Sequence, residues 1–83
     1  MDTRNVMSID AIRESMRKAS AVRVINYRGE TDSSYVRHHR EDGSEYWLQA
    51  WDGSEKTEEI APDAVANELA LFSMLGIGFV FED

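Results

Sequence analysis

Residues 34–51 read SYVRHHREDGSEYWLQAW. Ser34 to Arg40 and Glu45 to Trp51 read as two strands around Asp42-Gly43. Asp-Gly is a strong two-residue hairpin signal, because a type I′ turn needs positive φ at both central positions. That turn predicts a register with Arg40 opposite Glu45, His39 opposite Tyr46 and His38 opposite Trp47. Trp47, Gln49 and Trp51 then share one face, and Tyr46, Leu48 and Ala50 share the other. Both faces carry apolar mass. One set must be core, and the other is covered by a helix or stays exposed.

Beyond this hairpin, Asp52-Gly53 repeats the turn signal and leads into a strand at Lys56 to Ile60. On the other side, Gly29 to Asp32 is a turn, preceded by the β-rich run AVRVINYR, Ala21 to Arg28. Before it, Ile9, Ile12, Met16 and Ala19 recur at helical spacing, with Ser8 as N-cap and Asp10 in the first turn. Met7 is placed to staple onto Ile12, and Glu14 to pair with Lys18. The first helix is expected from Ile9 to Ala19, with a cationic face, and Met1 to Val6 as a loose end. Past Ile60, Pro62 opens a second helix, Asp63 to Leu75, which Gly76 caps. Ile77 to Phe81 is the last strand. The order is α-β-β-β-β-α-β: an α+β fold with two helices and a small antiparallel sheet of four to five strands.

The chain has 83 residues, which suits one domain, residues 1–83, with a single modest core. It contains no cysteine, which excludes thiol catalysis, disulfide scaffolds and cysteine-based metal sites. The longest apolar stretch, Leu69 to Phe81, is broken by Ser73, Gly76 and Gly78 and falls short of the roughly 20 residues a span requires. The first residues, MDTRNVMSIDAIRE, carry no secretory pattern. A soluble, cytoplasmic protein is expected.

The formal charge is −7, unevenly spread. Residues 1–40 carry +3 and residues 41–83 carry −10. An acidic protein is repelled by nucleic acid and drawn to basic protein surfaces. His38 and His39 point to opposite faces of a strand and share no metal, and no HxH or HExxH spacing occurs. There is no GxSxG elbow, and the carboxylate pairs Glu41-Asp42 and Glu58-Glu59 fall where solvent keeps both ionised. No catalytic residue, metal or cofactor is assigned.

Two features point to binding instead. The acids Glu41, Asp42, Glu45, Asp52, Glu55, Glu58 and Glu59 gather on the turns and strand after residue 40, with Trp47 or Trp51 as an aromatic anchor. The second helix is apolar around most of its circumference, so Leu71 and Met74, with Phe79 of the last strand, are candidates for a homodimer or partner interface.

Two resemblances bear on these features. The first helix before VRVINYRG, then Tyr46-Trp47-Leu48, QAWDG and a strand ending at Ile60, loosely resembles a WYL domain, an SH3-like barrel that senses ligands in bacterial regulators. That likeness implies a pocket for small anionic ligands lined by Tyr27, Tyr46 and Arg37. Over its whole length, the short, acidic, cysteine-free profile is similar to phage-encoded anti-CRISPR and anti-restriction proteins. That likeness implies a non-enzymatic inhibitor that covers a basic, nucleic-acid-handling surface of a partner complex, without binding nucleic acid or membrane itself.

Overall fold

The computed structural model describes residues 6–83; the loose end expected at Met1 to Val6 lies outside them except for Val6. The elements are α1 (Ile9–Lys18), β1 (Ala21–Ile25), β2 (Thr31–His39), β3 (Glu45–Trp51), β4 (Thr57–Ile60), α2 (Pro62–Leu75) and β5 (Gly78–Glu82). The five strands form one antiparallel sheet in the order β4-β3-β2-β1-β5. The order α-β-β-β-β-α-β and the α+β class are those read from the sequence.

Local chemistry sets the boundaries. The Ser8 hydroxyl accepts the Ala11 N–H at 3.1 Å and caps α1, whose Ile12 and Met16 face inward. Lys18 ends the helix, one residue before the expected Ala19, and Ala19 is itself buried. β1 stops at Ile25 and does not run to Arg28, because Asn26 builds a turn there. Its side-chain oxygen accepts the N–H groups of Arg28 and Glu30 at 2.9 and 3.1 Å, and Gly29 sits at φ +81°. β2 begins at Thr31, earlier than expected, since Ser33 and Ser34 pair with β1 on one side and β3 on the other.

The β2–β3 hairpin differs from the expected register. Arg37 lies opposite Trp47, His38 opposite Tyr46 and His39 opposite Glu45. A type I′ turn needs positive φ at Asp42, and only glycines take it among the described residues. Gly43 alone is left-handed, at φ +88°; its N–H donates to the Arg40 carbonyl at 3.0 Å, and the Arg40 N–H donates to Ser44 at 2.8 Å. The loop is therefore one residue longer, a glycine bulge, and the pairing slips by one. The Asn26–Glu30 turn has the same two backbone bonds, both at 2.9 Å.

α2 ends as expected: Gly76 is left-handed and the Ile77 N–H donates to Phe72 at 2.8 Å. Both helices pack on one face of the sheet. There Ile12, Met16, Val65, Ala66 and Leu69 meet Val22, Val24, Tyr35 and Trp47 in a single core. No helix among the described residues is long and apolar enough to cross a membrane.

Candidate functional site: the open face of the sheet

Alternation and register divide the strand residues between two faces. Trp47, Tyr35, Val22 and Val24 are buried under the helices, so Arg37, Gln49, Trp51, Ile60, Phe79 and Phe81 share their side. The opposite face carries Ala21, Arg23, Val36, His38, Tyr46, Leu48, Ala50, Glu59, Val80 and Glu82, and among the described residues no helix covers it.

One row across this open face runs Glu59, Leu48, Val36, Ala21, Glu82 from β4 to β5. Its centre is apolar and its ends are acidic. Each acid meets an arginine: Arg40 pairs with Glu59, and the Arg23 Nε lies 3.1 Å from the Glu82 carboxylate without being aimed for a hydrogen bond. Arg23 also donates to the Thr31 hydroxyl at 3.0 Å. At one end, the Arg40 guanidinium sits 4.3 Å from the Tyr46 ring centroid, and His38 stacks on the same ring at 5.4 Å. An apolar centre inside a polar rim is the layout of a protein-binding surface.

The acids expected to bind a partner do not form one cluster. Glu41, Asp42 and Glu45 lie at the β2–β3 turn, whereas Asp52 and Glu55 lie at the β3–β4 turn, the opposite end of β3. β4, with Glu58 and Glu59, links them along one edge. Ser44 donates to the Asp42 carboxylate from its N–H at 2.9 Å and its hydroxyl at 2.7 Å, and these bonds hold the Asp42 pKa below its ordinary 3.8. Glu45 lies 3.8 Å from both Arg37 and His39. Glu41, Asp52, Glu55 and Glu58 have no cationic partner among the described residues.

Trp47 is 2% exposed and belongs to the core, which corrects the expectation that it could anchor a partner. Trp51, on the same face but opposite Ser33, is only half-buried. Leu71 and Met74 are exposed on the side of α2 turned away from the core, at 52% and 68%. Phe79 is half-buried under the helices, edge-on to Phe81 at 5.7 Å.

The pocket implied by the WYL likeness is not assembled. Tyr27 projects from the β1–β2 turn, 92% exposed, while Tyr46 and Arg37 sit on opposite faces of the sheet. A different hollow of about 280 Å³ opens over Trp47, between Arg13 and Arg17 of α1, Arg37 and Glu45 of the sheet, and Asp63 of α2. Its cations are matched: Arg13 with Asp10 at 3.8 Å, Arg17 with Glu14 at 2.8 Å, Arg37 with Glu45. It therefore presents no unbalanced charge to an anion.

Sequence reasoning missed the buried contact of Tyr35. Its hydroxyl donates to Glu68 at 2.7 Å and accepts from the Gln49 amide at 3.3 Å. Burial, then the hydrogen bond and charge of Glu68, push its pKa well above the ordinary tyrosine value. The open face itself was signalled, by the alternate apolar residues Tyr46, Leu48 and Ala50.

Comparison with family models, curated proteins and solved structures returns no match for this chain.

Proposed function

We propose that this protein works without catalysis, by binding another protein. It lays the open face of its sheet and the adjoining acidic edge on a basic surface of the partner that normally handles nucleic acid. In this reading it is an inhibitor of the anti-CRISPR or anti-restriction kind, acting in the cytoplasm of the host cell.

One observation carries the reading. The apolar centre at Val36 and Leu48 is left uncovered and lies beside β4, whose two charges are both acidic: Glu59 on the open face and Glu58, opposite Gln49, on the helix side of the same edge. Glu45 and Glu59 are met by the protein's own arginines, while Glu41, Asp52, Glu55 and Glu58, which meet no cation among the described residues, are left to face a partner. The unmatched carboxylates steer encounter, and the apolar centre supplies most of the affinity.

The test is capture from a lysate of the source cell at low and high salt, followed by binding kinetics with the retained protein. Glu55→Lys with Glu58→Lys should slow association about tenfold or more at low salt. Leu48→Asp should abolish binding while leaving the helical signal intact. A partner whose association ignores both changes would refute the proposal.

A further inference from the structure

The two edges of the sheet are built differently. β4 is four residues long, TEEI, with two glutamates. Short length and charge are the usual guards against edge-to-edge pairing. β5 reads GFVFE: five residues with no lysine, proline or bulge and a single charge at its end. Val80 is 43% exposed.

The backbone direction of β5 follows from the bonds inside the sheet. The Arg37 N–H donates to the Ser20 carbonyl at 2.9 Å, which extends the β1–β2 ladder. Antiparallel bonding alternates residue by residue, so Val22 and Val24 bond toward β2, and Ala21 and Arg23 toward β5. Their partners Glu82 and Val80 bond inward; the Glu82 carbonyl indeed accepts the Ser20 N–H at 2.7 Å. Phe79 and Phe81 therefore turn their N–H and C=O groups outward, with no strand beyond them among the described residues.

We infer that β5 pairs antiparallel with the β5 of a second copy of this chain, about a two-fold axis at Val80. This register is self-complementary, as an isologous interface must be. Phe79 of one protomer bonds Phe81 of its partner and the reverse, using all four outward groups. Val80 faces Val80 of the second copy in a non-hydrogen-bonded pair, where side chains are closest. Gly78 lies opposite Glu82 of the second copy, so no two like charges meet, and each Glu82 keeps its own Arg23. The two sheets become one of ten strands with the open faces on one side. This interface leaves the acidic β4 edges at the far ends, so it is independent of the partner-binding proposal.

The chain has no cysteine, so Val80→Cys introduces a single thiol. Two Val80 Cα atoms at a non-hydrogen-bonded pair stand about 4.5 Å apart, within disulfide reach. The expected result is twice the monomer mass by light scattering, rapid covalent dimer formation by the Val80→Cys variant under mild oxidation, and none by Val36→Cys, on the same face but away from the edge. Val80→Lys should give a folded monomer, checked by circular dichroism. A monomeric mass at millimolar concentration would overturn the inference. So would a dimer in which Val80→Cys does not cross-link, or one that Leu71→Glu with Met74→Glu disrupts while Val80→Lys does not.

Discussion

Trp47→Ala removes the largest fully buried side chain of the core. Such a truncation costs about 3–5 kcal/mol, a large part of the total stability of a small domain. The melting temperature should fall by more than ten degrees, whereas Trp51→Ala, at a half-buried position on the same face, should lower it by less. Tyr35→Phe removes the bonds to Glu68 and Gln49 and should cost about 1–2 kcal/mol. The raised pKa of Tyr35 means that folding favours its neutral form. That stabilisation is complete below pH 10.0, the ordinary tyrosine value, and is lost as pH rises beyond it. An absorbance titration should therefore show one tyrosine ionising only as the protein unfolds, and Tyr35→Phe should abolish that late phase. Asp42 has the opposite sign. Its lowered pKa contributes stability above pH 3.8 that disappears as pH falls through the folded value, so Asp42→Ala should flatten the acid limb of the denaturation profile.

At the level of elements, the two helices begin differently. α1 has the Ser8 cap, while the N-cap of α2 is Ala61, which has no side chain to accept an N–H. The Ala61 backbone already holds the extended geometry of a cap, at φ −69° and ψ 147°. Ala61→Ser should therefore stabilise the protein by about 1 kcal/mol, measured by urea denaturation, and Ser8→Ala should cost a similar amount. Gly43→Ala forces a side chain into φ +88° and should cost about 1 kcal/mol. Element order was legible because it rests on short-range chemistry: the Ser8 cap, the Asp-Gly pairs, Pro62 and Gly76 each act within a few residues. The hairpin register was not, because Asp-Gly serves a two-residue turn or a longer bulged loop, and which forms depends on how His38 and Trp47 settle on the two faces. Strand ends shifted for a similar reason. Ser33 and Ser34 have weak strand preference, and neighbours on both sides hold them in the sheet.

For the whole molecule, the sequence located the acids but could not arrange them. Charge counts distinguish neither Glu59, paired with Arg40, nor Glu45, beside Arg37, from the unmatched Glu55 and Glu58. The division of aromatic residues between faces also needed the register, which sent Trp47 inward and left Tyr46 and Leu48 outside. Strand order has a consequence for synthesis. β1 is an inner strand only because β5, more than fifty residues later, takes the place beside it. A nascent chain that has emerged only as far as α2 has a four-strand meander whose β1 edge is bare, and its core lacks Phe79 and Phe81. Contacts of such sequence separation form late and slowly. The chain therefore stays incomplete until residues 78–82 have left the ribosome, and until then the backbone groups of Ala21 and Arg23 are open to whatever strand or chaperone reaches them first.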